Sequence, residues 1–462
     1  MNPKKRNTIL ISCGVLLLVA VFCLIVIAVI GIGVSVFGIF GQSGSGEALA
    51  EPPYETEITA EPLETASVED VLAGARTIES QVQDIRGLTA TEDFERELIS
   101  EADLAQTVKE EFFMDYSDEE AQQDAIVLSA LGLLPPDFNL KQFYTDLYSE
   151  QIAGYYDDEI KTMFVVQGVG FGGAEKTTYA HEYTHVLQDQ VYGFDSYLDL
   201  SEEACQVDSE KCTAIQALVE GDAVTTELLW FQNYASQQDY EDLMEVYKNE
   251  EYPVLDSAPS YIEADLMFPY MEGQTFVDSF TSEGGFERLA EVYANLPVST
   301  EQILHPERYP EDTPVPVALP DLTDVLGEDW TLYDQNVMGE WYTYLILNQA
   351  YDSGWQLSDS KASAAAEGWG GDAYVIYLNE ETDQVVFVLD TVWDTTADAN
   401  EFARAFKTYA RNRWDKADPV LPEHLSWAGV DGVVDFFQAG DRTVWVIAPD
   451  VSTAQSVVTE LE

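Results

Sequence analysis

Among 462 residues the chain holds four histidines, and two of them, His181 and His185, flank Glu182 in "YAHEYTHVLQDQ". No other stretch restricts its own local fold as tightly. On a helix, positions i and i+4 share one face about a turn apart, so the two imidazoles can meet one ion. Imidazole nitrogen is a good zinc ligand, and a catalytic zinc site takes three protein ligands and leaves one position for water. Glu182, at the edge of that face, is placed to take a proton from water and later give it to a leaving amine. The plain alternative is a pair of ordinary polar residues on a helix. The remaining sequence has to supply a third ligand and a fitting context.

The N-terminal region sets that context. Lys4, Lys5 and Arg6 precede an almost unbroken apolar run from Ile9 to Phe40, long enough to span a bilayer. Basic residues before the run, with Glu47, Glu51, Glu55 and Glu57 after it, place the N-terminus inside and the rest outside. The expectation is an uncleaved anchor at 1–41 with an extracytoplasmic body. The rival is a cleaved signal peptide ending near Ala48-Leu49-Ala50, but a signal peptide's apolar core is normally much shorter. Cys13 and Cys23 fall in the run, so Cys205 and Cys212 are the thiols of the body. In an oxidising compartment they most simply close their own loop as a disulfide.

Every acidic residue lies beyond position 41, and the net charge is −64. That argues against nucleic-acid binding, which needs a basic footprint. It fits a heavily solvated acidic surface with mild attraction for basic substrates. At 46% hydrophobic residues the chain can still bury a large core.

Residues 42–66 are small, acidic and Pro-containing, and read as a flexible linker. From Val68 to about Glu150 the pattern is mostly helical. Met163–Val166 reads as a short strand, and helices carry His181 and "TAIQALVEGDAVTTELLWFQNYA". Beyond about Trp355, "AYVIYL", "QVVFVLD", "GVVDFFQ" and "TVWVIAP" read as strands, with two helices between and after them. An antiparallel sheet with helices on one face follows. The divisions are 1–41 anchor, 42–66 linker, 67–354 main domain and 355–462 a small α+β domain.

Glu220, in "ALVEGDA", follows His185 at a distance in an apolar helical stretch, where an unpaired carboxylate would be costly. Coordination would account for it, as would a neighbouring arginine. "AHEYTHVLQDQ" followed by "ALVEGDA" resembles the gluzincin metallopeptidases, over roughly residues 150–235, with looser likeness in "FPYMEGQTF" and "STEQILHPERY". The metzincin pattern is excluded, because Gln188 and Val191 stand where its Gly and third His would be. The resemblance implies an α+β zincin-like core with a thermolysin-like site: Zn²⁺ held by His181, His185 and a downstream glutamate, with Glu182 as general base.

Glu220 is the expected third ligand. Glu203 is the rival, nearer in spacing to the family's glutamate but set in the polar loop that the Cys205–Cys212 pair is expected to close. Val224 occupies the position where the family has an aspartate that orients the first histidine, and Asp222 is the nearest substitute. His305 and Tyr270 are candidate oxyanion donors, as a histidine or tyrosine is in enzymes of this kind. Met163–Val166 is a candidate edge strand for an extended substrate, with a core strand as the alternative reading.

The expected function is a membrane-anchored zinc metalloendopeptidase acting on protein or peptide substrates. The alternative is a catalytically inactive, zinc-stabilised binding or envelope-organising protein.

Overall fold

The computed structural model describes residues 67–100, 103, 106–107, 116–151, 154–166, 171–249, 252–416, 418–429 and 432–462. Helix α1 (Val68–Arg86) opens the described chain. Ser67 caps its start by accepting from Asp70 N, Gly87 ends it in the left-handed region, and Val71, Ala75, Ile78 and Val82 form its buried stripe. Strand β1 (Glu95–Ile99) follows, within the stretch expected to be helical. Next come α2 (Asp118–Leu131), started by a Ser117–Glu120 capping box, and α3 (Leu140–Gln151). β2 (Gly154–Asp157) and β3 (Thr162–Val166) then complete a three-stranded sheet in the order β1-β3-β2. β3 is parallel to β1 and antiparallel to β2. The strand expected to offer a free edge is therefore the central one, with both sides already paired.

Helix α4 (Gly173–Tyr192) carries both histidines and is buried along almost its whole length. α5 (Ser209–Tyr234), capped by Asp208 onto Lys211 N, carries Glu220 and is buried all round through Glu227. The short helix Glu202–Val207 leads into it, and Cys205 and Cys212 are joined in a disulfide across this junction. α6 (Gln237–Asn249) packs on α4. The long α7 (Ser260–Tyr293), broken at Gly284 and Gly285, packs against α5. That α5–α7 contact is unusually close. A Cβ on Gly221 would lie 2.1 Å from the Gly273 backbone, and one on Gly273 would lie 2.1 Å from Ala217 O. The two glycines of "VEGDA" and "MEGQ" are thus where the two backbones meet.

After α8 (Thr300–Leu304), β4 (Thr331–Asn336) starts a second sheet, ahead of residue 355 where the C-terminal part was expected to begin. α9 (Gly339–Asn348) follows. The sheet continues with β5 (Trp369–Asn379), β6 (Gln384–Trp393), β7 (Asp415–Lys416), β8 (Leu425–Gly429), β9 (Gly432–Ala439) and β10 (Arg442–Ala448). Its order is β4-β5-β6-β10-β9-β8-β7, and every neighbouring pair is antiparallel.

Side chains alternate across this sheet. Phe387, Leu389, Trp445 and Phe436 face Phe402 and Phe406 of α10 (Thr396–Arg413). Val386, Val388, Val444 and Val446 face Val457 and Val458 of α11 (Val451–Leu461). Helices cover both faces, not one as expected, because both sets of alternating positions are apolar.

The expected transmembrane helix and linker, residues 1–66, lie outside the described residues. Among the described residues no helix is long and apolar enough to cross a membrane. The fold class is corrected to mixed α/β, with no membrane-crossing helix among the described residues, and the expected single-pass membrane localisation is withdrawn with it.

Candidate metal centre

The site forms where α4 and α5 cross. His181, Glu182 and His185 bring their donor atoms within 4.8 Å of one another. Glu220 Oε2 reaches in from α5, 3.4 Å from His181 Nε2 and 3.5 Å from His185 Nε2. With metal–ligand bonds near 2.0–2.1 Å, neighbouring donors of a tetrahedral ion sit about 3.3 Å apart, so these separations suit a small cation. All four residues are deeply buried: His181 is 0% exposed, Glu182 2%, His185 4% and Glu220 2%. His185 Nε2, Glu220 Oε2 and Glu182 Oε1 have no hydrogen-bond partner. Buried polar atoms without partners are rare and call for an explanation, and a cation shared by the first two supplies one. The donor set fits the group the sequence implied.

The charges in the cluster respond to burial and to one another. Desolvation pushes the Glu182 carboxyl up, only partly offset by the two imidazoles. Burial also works against charge on Glu220 and His185. Their mutual attraction prevails, so Glu220 is held below the usual carboxylate range and His185 above the usual imidazole range.

Around the donors stands a second layer of contacts that sequence reasoning did not find. His181 Nδ1 lies 3.0 Å from Glu227 Oε2. A carboxylate only accepts, so Nδ1 carries the proton and Nε2 keeps its lone pair for the site. This is the role expected of an aspartate at position 224 or of Asp222. Glu227 fills it from seven residues beyond Glu220, two turns along the same face, a spacing that was readable. Gln188 Oε1 lies 2.8 Å from His185 Nδ1, three residues on and also on one face. Glu182 Oε2 accepts from Tyr156 N of β2 at 3.1 Å, which aims Oε1 elsewhere. This last contact spans two distant segments and left no trace in the sequence pattern.

The remaining candidates separate. Tyr270 on α7 is brought close, its ring centroid 6.4 Å from that of His181. Glu203 is exposed on the short helix that carries Cys205 and is not among the clustered donors. His305, just past α8, has Nε2 engaged by Glu340 Oε1 at 2.9 Å. The attraction and hydrogen bond of Glu340 raise its ring above the ordinary value despite burial. Among the described residues no hydrogen bond links His305 to His181, Glu182, His185 or Glu220. It belongs instead with Glu301, Asp312, Asp394 and Glu367, which gather around Arg308.

A family model described as "Domain of unknown function (DUF8575)" matches residues 330–458. That span holds the seven-stranded sheet and less than half of the chain, and it leaves out the whole of the α4–α5 site. No curated protein and no solved structure matches the chain.

Proposed function

We propose that the chain is a zinc-dependent metallopeptidase of gluzincin type, cleaving peptide bonds with Glu182 as general base. The observation that carries this reading is the convergence of His181 Nε2 and His185 Nε2 on Glu220 Oε2, beside a partnerless Glu182 Oε1. His181, His185 and Glu220 would hold the ion. Bound there, Zn²⁺ supplies a Lewis acid that polarises a carbonyl and brings water's ionisation toward neutral pH.

The chain's own residues do the rest. Glu227 and Gln188 keep the ring protons on the Nδ1 atoms. Tyr156 N fixes one oxygen of Glu182, so the other is the proton carrier. Glu182 Oε1 takes a proton from the attacking water and returns it to the departing amine nitrogen. No covalent acyl-enzyme is needed, and no serine or cysteine stands among the donors to form one.

The second reading is a cation site that stabilises a binding protein without turnover. Burial favours it, since residues no more than 4% exposed leave a substrate no open approach in this conformation. The partnerless Glu182 oxygen favours the enzyme, because a structural site requires no base. A peptide-library digest with the full chain, before and after chelation and Zn²⁺ restoration, separates the two. Cleavage that disappears with chelator and returns with Zn²⁺ supports the peptidase. Tight Zn²⁺ binding with no cleavage supports the structural site.

A further inference from the structure

The amide that faces His185 is itself oriented from behind. Gln188 Nε2 donates to Val219 O at 2.9 Å and to Asp222 Oδ2 at 2.9 Å, and lies 3.0 Å from Tyr293 OH. A carbonyl and a carboxylate accept only, so the NH₂ end must face them and the oxygen end must face His185 Nδ1. The side-chain amide, otherwise ambiguous about its two ends, has one allowed orientation here. His185 must then carry its proton on Nδ1, which leaves the Nε2 lone pair toward Glu220.

Asp222 is in turn gripped by Arg86. Nη2 donates to Oδ2 at 2.9 Å, and Nε lies 2.9 Å from Oδ1. Tyr293 OH donates to the same carboxylate at 2.8 Å. Arg86 is the last residue of α1, is 4% exposed, and rests 4.2 Å over the Phe286 ring, just past the Gly284–Gly285 break in α7. The Nη2 hydrogen bond is charge-assisted and the Nε approach adds attraction, so the ion pair holds the carboxylate in position.

Taking the cluster as a cation centre, as argued above, we propose that Gln188 is the positioning residue for His185 and that Arg86, through Asp222, holds Gln188 in register. Helix α1 is then part of the centre and not a dispensable leader. Its contribution arrives through a contact 136 residues apart in sequence.

The full chain labelled with ¹⁵N-histidine tests this. Four histidines give four ring patterns, and the loss of one in His185→Asn identifies His185. At a pH where the rings are neutral, the wild-type His185 pattern is that of the Nδ1–H form. Gln188→Met should give a mixture of both forms and lower Zn²⁺ affinity by about 10–100-fold. Arg86→Gln should move both readouts the same way but less, since Val219 O still holds one amide proton, and Arg86→Lys should lie between it and wild type. If Arg86→Gln does not fold, the paired Arg86→Met/Asp222→Leu change removes the ion pair without leaving a lone charge and is read in the same way.

A Gln188→Met protein that keeps a single Nδ1–H form and full Zn²⁺ affinity overturns the positioning role. Unchanged readouts in the Arg86 variants overturn the part given to α1. A wild type that binds no Zn²⁺ at all removes the cation reading, while the ring patterns still decide what Gln188 and Arg86 do.

Discussion

Glu182 shows how much two side-chain oxygens can differ. Oε2 is tied to Tyr156 N, and Oε1 is buried without a partner, so Glu182→Gln should fold and bind Zn²⁺ normally. Glu220→Gln should cost roughly a hundredfold or more in Zn²⁺ affinity, because it replaces an anionic donor with a weak neutral one. Glu203→Gln, exposed on the short helix Glu202–Val207, should leave affinity unchanged. Metal content by mass spectrometry on the three purified proteins ranks them, and a critical Glu203 would reject the assignment. Glu227→Gln should weaken binding by about 10–100-fold through His181 alone.

The sequence made the helix spacing of His181, Glu182 and His185 legible, and the cost of burying Glu220 pointed to the fourth member. Glu227 was within reach of the same periodicity argument but was passed over in favour of Asp222. Arg86 and Tyr156 N were not legible, since nothing local marks a partner that arrives from another element.

Among the elements, the crossing of α5 and α7 sets where Glu220 sits. Because a Cβ on either glycine would come within 2.1 Å of the other helix's backbone, Gly273→Ala must push the helices apart. An overpacked core position typically costs about 1–3 kcal/mol, read as a lower urea midpoint, and here Zn²⁺ affinity should fall as well because Gly221 adjoins Glu220.

A second prediction concerns α2. Asp124, buried between Tyr116 and Tyr333, is pushed up to about 8 by desolvation. A carboxyl raised in the folded state favours folding at low pH, and that advantage is lost as pH climbs from about 4, where the unfolded chain ionises, to about 8. Asp124→Asn should flatten stability over that window in urea titrations taken at several pH values. An unchanged slope would mean the carboxyl is not held protonated.

β3 was misread as an edge for a reason visible in β1. "ERELI" has exposed and half-buried positions throughout, and so lacks the apolar signature that would have marked it as a strand. The two-faced burial of the large sheet, by contrast, follows from continuous apolar runs such as "VVFV" and "VWVI", which were read as strands but not as strands covered on both sides.

For the whole molecule, one core crosses the division drawn from sequence at residue 355. Leu128 and Leu131 of α2, Leu218 of α5, Phe276 of α7, Leu345 of α9 and Phe406 of α10 belong to a single apolar cluster, and Arg413 donates to Ala130 O. Calorimetry of the described body should therefore show one cooperative transition. Residues 330–458 expressed alone should expose this shared face and fail to fold stably. With a net charge of −64, self-repulsion works against the compact state. The thermal midpoint should rise as salt shortens the reach of that repulsion.

The central claim is that the buried cluster is a working base beside a cation site, and Glu182→Gln addresses it most directly. Measured on the full chain, Zn²⁺ content and peptide-library cleavage should come apart: near-stoichiometric metal, with hydrolysis lost. Equal turnover in the variant and wild type would contradict the account, as would loss of the metal together with the activity.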